Sequence, residues 1–262
     1  MLGVTLRGAV GMGGIMVFTS FPENYYRNTG EKVIDLDHTW IFDHNPFVVR
    51  DRNPTQIVNL WSHPWPGLST QGSAADFVAK PVLSSVADRT ASIFNQIAYL
   101  RHPRLYLHED LPVVHNRVVI HTTGQMFTPS MGEDAKKILS REIIEHIRKQ
   151  YNNYEVIQIG LRDDIDAQVI DCRGLDDIWE TVKIIAQARI FIGVDSGPSW
   201  IAASYPRIFS KKVLMQYSPE FLRRSFIPMH SLIPHHQWFD ASFMYFNRST
   251  DDAGVTYSYL KI

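Results

Sequence analysis

With 262 residues, 45% of them hydrophobic and 20% charged, the chain is long enough for one large domain or two ordinary ones around a real core. A formal net charge of −1 supplies no global basic field, so nucleic-acid binding by bulk charge is not indicated. One cysteine, Cys172, excludes an intrachain disulfide and a cysteine cage for zinc, while the lack of a long apolar run or signal-peptide pattern makes the cytoplasm the expected location.

The first elements alternate. Residues 3–10 read as an apolar strand, followed by the glycine turn Gly11-Met-Gly-Gly14 and an apolar segment over 15–21 that starts a helix. Residues 32–36 and 56–61 read as strands two and three, with a turn at His44-Asn-Pro-Phe47 between them. The Pro/Gly/Ser-rich piece 62–73 is a loop, and 87–100 has helical spacing, with Ile93, Ile97 and Leu100 on one face. A polar, proline-bearing stretch over 108–116 marks a boundary, dividing the chain into domains 1–112 and 113–262.

A second alternation follows. Strands are expected at 117–121, 154–159, 168–171, 190–194 and 212–215. Helices are expected at 140–150, with Ile143, Ile144 and Ile147 as the apolar face, at 175–188, and across 200–204. Strands alternating with helices predict parallel sheets covered on both faces, hence an α/β fold of two doubly wound Rossmann-like domains with a cleft between them. The aromatic tail after Pro234 reads as irregular and packing back over a domain.

The segment Ile190-Phe-Ile-Gly-Val-Asp-Ser-Gly-Pro198 runs from a buried strand into a carboxylate, a hydroxyl, a glycine and a proline. That order delivers polar groups to the carboxyl edge of a parallel sheet, where anionic ligands bind. The competing reading is a helix cap, with Asp195 or Ser196 as N-cap and Pro198 in the first helical turn. His121-Thr-Thr-Gly124 ends the first strand of the second domain and brings two more hydroxyls to the same edge, so together the two segments suit a diphosphate.

The order of these features resembles glycosyltransferase family 9, the ADP-heptose:lipopolysaccharide heptosyltransferases of the GT-B fold. The similarity runs over about residues 1–220: the first strand and Gly11-Met-Gly-Gly-Ile15, the His121 loop, the strand ending Ile159-Gly160, the helix from Asp176, and Phe191-Ile-Gly-Val-Asp-Ser-Gly-Pro-Ser-Trp-Ile-Ala-Ala203. It implies transfer of a sugar, with inversion, from a nucleotide-diphosphate donor to an acceptor hydroxyl on a glycan, a lipid-linked molecule or another carrier. It places Thr122, Thr123, Gly124, Asp195, Ser196, Gly197 and Pro198 at the donor, with Gly13 and Gly14 of the first glycine turn added to the set. The donor is a substrate, so neither a cofactor nor a metal is expected.

Two positions depart from the family pattern. Where the family has an aspartate taken as the base, this chain has Gly14, and where it commonly has a histidine stands Trp200. A replacement base belongs at the carboxyl end of another strand of the first domain, which nominates Asp37, His38 and His63, with Glu23 behind them. The missing aspartate also keeps open a nucleotide-sugar-binding protein without catalysis. A nicotinamide oxidoreductase is a lesser alternative, because Gly11 and Gly13 fit half of a dinucleotide fingerprint with Asp35 and Asp37 at ribose distance. A nucleic-acid-modifying transferase needs a basic groove, which the charge balance neither supplies nor forbids. His230, His235 and His236, and the pairs Arg223-Arg224 and Lys136-Lys137, read as surface or packing residues.

Overall fold

A computed structural model describes residues 1–8, 11–16, 18–61, 91, 94–100, 103–125, 136–139, 141–194, 196–214, 246–250 and 255–259. The described chain forms two compact units, one from Met1–Asp110 with Ala203–Tyr205, the other from Leu111–Ala202 and the described residues from Pro206 onwards.

In the first unit, β1 (Leu2–Thr5), α1 (Gly11–Met16), α2 (Phe21–Thr29), β2 (Val33–Asp35), a 3-10 turn (Trp40–Phe42), β3 (Val48–Val49) and β4 (Gln56–Asn59) follow one another. The sheet is parallel, in the order β3-β2-β1-β4. β1 is buried along its whole length, as a strand flanked on both sides must be. At its second position a Cβ would stand 2.8 Å from Pro54 Cβ, which is why the strand can carry Gly3 there.

Three expectations change in this unit. The glycine turn is helical, forming α1. The polar sequence after Phe21 forms α2, with Pro22 in its first turn and Gly30 closing it at φ 73°, its N–H donating to Tyr26 O. Of the described residues in the expected helix over 87–100, Ala91 is helical and 94–100 are not: Asn95 has φ 52°, and α2 supplies the backbone partners instead. Asn24 exchanges two hydrogen bonds with the Leu100 backbone (2.8 and 2.7 Å), and Asn28, one turn later, does the same with Ile97 (2.8 and 3.0 Å). Two side-chain amides spaced one helical turn apart thus stand in for a neighbouring strand.

The second unit contains β5 (Arg117–His121), β6 (Thr123–Gln125), β7 (Lys136–Ile138), α3 (Arg141–Gln150), β8 (Glu155–Gly160), β9 (Ile170–Arg173), α4 (Ile178–Ala186), β10 (Ile190–Val194), α5 (Gly197–Ala203) and β11 (Ser210–Leu214). Five strands form a parallel sheet in the order β11-β10-β5-β8-β9, and β6 pairs antiparallel with β7. The predicted face of α3 is the one buried: Ile143, Ile144 and Ile147 pack with Val118, Ile120 and Ile192 in one core. Each such side chain contributes about 1.5–3 kcal/mol by leaving water. α4 starts later than expected because Asp177 caps it, accepting from Trp179 N–H at 2.8 Å. Within the tail expected to be irregular, β12 (Phe246–Thr250) and β13 (Val255–Tyr259) pair as antiparallel strands, which corrects that expectation for these residues. The alternation of Val255-Thr-Tyr-Ser-Tyr259 is the local strand signal there.

Candidate functional site

From β5 the chain lays down β8 and then β9 on one side, and returns to place β10 and then β11 on the other. The connections leaving β5 and β10 therefore part company at the carboxyl edge, which is where open parallel sheets bind ligands. His121, the last residue of β5, pairs in register with Gly193 of β10 and stands at this junction.

The imidazole of His121 is buried and held from both sides. Its Nδ1 lies 2.9 Å from Ser196 Oγ, beyond the end of β10, and its Nε2 lies 3.6 Å from Asp164 Oδ2, in the loop after β8. Asp164 is itself buried, and its Oδ2 accepts the Leu161 N–H at 2.9 Å. Two glycines make room for the ring. At Gly160, φ is 131°, and a Cβ would stand 2.0 Å from Asp164 Oδ2 and 3.0 Å from His121 Cδ2. At Gly193 it would stand 3.3 Å from His121 Cβ. Ser196 Oγ also lies 3.1 Å from Val194 O, to which Ser199 Oγ donates at 2.6 Å. Ser196 is thus no side-chain cap of α5: its hydroxyl faces His121 and Val194.

The loop between β8 and β9 is fastened from three strands. Thr122 Oγ1 donates to Ile165 O at 2.8 Å and accepts from Gln158 Nε2 at 3.0 Å, so both functions of this fully buried hydroxyl are engaged within the protein. Thr123 Oγ1 accepts the Ile165 N–H at 3.1 Å, which leaves its own proton to donate. Gln158 also donates to Ile165 O and accepts from Ala167 N–H, at 2.7 and 2.8 Å. From β9, Arg173 Nη1 donates to Asp164 O at 2.6 Å. Its remaining donors grip Asp171, holding that carboxyl well below the usual range, at about 2.

Of the residues expected at the donor, Thr122, Thr123, Gly124, Ser196, Gly197 and Pro198 all belong to the second unit. Gly124 lies in β6, and Gly197 and Pro198 open α5. Asp195 lies outside the described residues, as do His63, His230, His235, His236, Arg223, Arg224 and the side chains of Lys136 and Lys137. Trp200 sits half-buried on α5. Gly13 and Gly14 belong to α1 of the first unit. Asp164, Gln158 and Gly160 were not anticipated as site residues. The signal was faint: a strand ending in glycine with an acidic pair, Asp163 and Asp164, shortly after it.

In the first unit the exits of β2 and β4 hold the loop after β1. Asp37 Oδ2 accepts from Thr5 Oγ1 and Leu6 N–H, both at 2.6 Å, and Asn59 Nδ2 donates to Arg7 O at 3.1 Å. The second oxygen of Asp37 faces Arg7 Nε at 3.7 Å. His38 is exposed, in the left-handed region at φ 50°. Asp35 is enclosed by its own loop, accepting from Thr39 N–H at 2.8 Å and from Arg50 at 3.1 Å. Burial pushes its carboxyl up, and the Arg50 bond pulls the other way. That enclosure leaves Asp35 no face for a ribose. Glu23 is buried too, bonded to Tyr106 and Arg27.

Neither protein-family profiles nor curated proteins give a match to this sequence. Solved structures do. TibC, an iron-containing dodecameric glycosyltransferase from enterotoxigenic E. coli H10407, superposes with a TM-score of 0.57 at 17% identity over 81% of this chain and 57% of its own. The family 9 glycosyl transferase from Veillonella parvula DSM 2008 gives 0.52 at 11% identity, over 81% and 79%. ADP-heptose LPS heptosyltransferase II of E. coli gives 0.51 at 14% identity, over 94% and 90%. This chain has the fold of the family 9 glycosyltransferases. It spans little more than half the length of TibC, which has also been solved in complex with ADP-D-β-D-heptose. Among the described residues no helix is long and apolar enough to cross a membrane, and no cluster of three or more His, Cys, Asp and Glu side chains is placed to hold a metal ion.

Proposed function

We propose that this chain is a glycosyltransferase whose second unit holds the diphosphate of a nucleotide-sugar at the junction of β5 and β10, and which passes the sugar to an acceptor hydroxyl with inversion. The observation that carries this reading is the built polar edge at that junction, Ser196 backed by His121 and Asp164, in a family 9 fold. The ADP-D-β-D-heptose bound to TibC supports the choice of donor class. In the reaction the acceptor oxygen bonds to the anomeric carbon while the bond from that carbon to the diphosphate breaks. The leaving diphosphate takes the electron pair, and a base takes the acceptor's proton. Hydroxyls of Ser196 and Thr123 stabilise the charge that grows on the diphosphate, without a metal.

The base is drawn from Asp37, His38 and His63, of which the first two are described. Asp37→Asn keeps an acceptor for Thr5 and Leu6 while removing the basic carboxylate, so a loss of turnover without a loss of donor affinity assigns the base to Asp37. Thermal shift against ADP-, GDP-, UDP- and CMP-sugars tests the donor reading: one of them raises the melting temperature, and Ser196→Ala weakens the effect. No shift with any of them at saturating concentration overturns it. Gly14, standing where the resemblance places an aspartate, favours a second reading, a nucleotide-sugar-binding protein without catalysis. That reading requires binding with neither transfer nor hydrolysis.

A further inference from the structure

We propose that the outer edge of β9 is a self-recognition surface, on which a second copy of this chain pairs its own β9 antiparallel about Cys172. The inference does not depend on the donor reading.

β9 is the last strand of its sheet, and among the described residues no strand pairs with its outer side. Its register with β8 decides which backbone groups look outward. Gly160 stands opposite Arg173, and the Gly174 N–H donates to Gly160 O at 2.8 Å. Along a strand the N–H and C=O of one residue point the same way, and successive residues point to opposite sides. Cys172 and Gly174 therefore turn to β8, while Asp171 and Arg173 present their backbone groups to the outside. Ile170 and Asp171 are exposed, as is Leu175 beyond the other end of the strand.

The run Asp171-Cys-Arg173 is self-complementary. An antiparallel pair centred on Cys172 sets Asp171 of each copy directly opposite Arg173 of the other. These are the outward-facing residues, so each couple exchanges two backbone hydrogen bonds. Residues 171 and 173 share one face of the strand, where two carboxylates and two guanidinium groups then alternate in sign around a two-fold axis. The neighbouring registers that keep outward groups opposite one another set Asp171 against Asp171, or Arg173 against Arg173. Charge thus selects one register among the three.

Within a single copy Asp171 already grips Arg173. Its Oδ1 accepts the Arg173 N–H at 3.0 Å and Nε at 2.8 Å, and its Oδ2 accepts Nη2 at 2.9 Å. The bond to the N–H shields the edge, as charged side chains on edge strands do, and pairing displaces it. The carboxylate keeps a guanidinium partner throughout, first its own and then also that of the second copy. Association is accordingly weak and reversible, helped by the apolar surface of Ile170 and Leu175 at the two ends of the strand.

The test begins with sedimentation of the full chain from about 10 to about 500 µM, where a dimer with a Kd on the order of 100 µM is expected. Cys172 gives a second readout, because it is the only cysteine and lies on the axis. Opposed residues of this type have Cα atoms about 4.5 Å apart, within disulfide range. Diamide takes up the two hydrogens as two thiols become one disulfide. Burial, with Asp171 beside it, pushes the Cys172 thiol up, so the oxidation is run at about pH 9. Asp171→Lys, at an exposed position, sets like charges opposite one another and should weaken dimer and cross-link by about tenfold or more. Mixing it with Arg173→Asp, whose charges are the reverse, should restore both. Arg173→Asp also frees the Asp164 carbonyl. Should that variant fail to fold, wild type against Asp171→Lys decides alone. A chain that stays monomeric over the whole range, or a dimer and cross-link unchanged in Asp171→Lys, overturns the proposal.

Discussion

Gly160 and Asp164 occupy one another's space: a Cβ on residue 160 would stand 2.0 Å from Asp164 Oδ2. The glycine also holds φ 131°, a conformation that L side chains rarely adopt. Gly160→Ala is therefore expected to destabilise the second unit by about 2–4 kcal/mol, from strain and displacement of the carboxylate together. In a double-mutant cycle with Asp164→Ala, the two losses should fall short of additivity by about 1 kcal/mol or more, because removing the carboxylate relieves the collision. Urea denaturation of the four proteins measures the difference.

The two threonines after β5 should respond unequally. Thr122→Val removes a buried hydroxyl that both donates and accepts, stranding Ile165 O and Gln158 Nε2, at a cost of about 2–3 kcal/mol. Thr123→Val removes a single acceptor, for the Ile165 N–H, and should cost about 1 kcal/mol. Under the diphosphate reading the order reverses for ligand affinity, since Thr123 is the one with a proton to give. Denaturation midpoints and nucleotide-sugar titrations of the same pair check both orders.

In the first unit, Asn24→Ala and Asn28→Ala each cut two hydrogen bonds to the segment 97–100. Asn24 is the more buried, so its loss is expected to be the larger, about 1–3 kcal/mol. Amide hydrogen exchange at Ile97 and Leu100 should accelerate in the matching variant while the strands of the second unit keep their protection.

Tyr106 ties stability to alkaline pH. Burial first, and then its bond to the Glu23 carboxylate, raise the phenol well above its ordinary value. A group whose folded-state value is raised contributes fully below its unfolded value, near 10, and loses that contribution as pH climbs towards the folded one. Stability should hold to about pH 10 and decline beyond it. In Tyr106→Phe the part of the decline due to this phenol disappears, at the expense of a lower stability near neutrality. Denaturant midpoints across the alkaline range compare the two.

Local pattern was enough for much of the fold. The apolar run at 190–194 and the isoleucine stripe of α3 became a buried strand and a buried face, because an unbroken apolar run and a 3.6-residue stripe are both printed directly in the sequence. The site was less legible. His121 and Ser196 meet across 75 positions, through the pairing of β5 with β10, and the inward turn of Thr122 depends on Ile165, 43 positions away. No local signal carries such distances. The segment 87–100 departs from its helical spacing for the same reason: a left-handed Asn95 and partners on α2 decide its path.

The place of β5 between β8 and β10 also bears on how the chain is made. β5 is followed within about 40 residues by β8, but β10 is translated only about 70 residues after β5, roughly 4–14 s later at ordinary ribosomal speeds. Over that interval an apolar strand offers one open edge to any neighbouring chain. Because β10 leads directly to Ser196, a nascent chain halted in that window has β5, β8 and β9 but lacks the Ser196 side of the junction. Maturation of the sheet and assembly of the polar edge are thereby one event in time, and a holdase that covers β5 until then protects both.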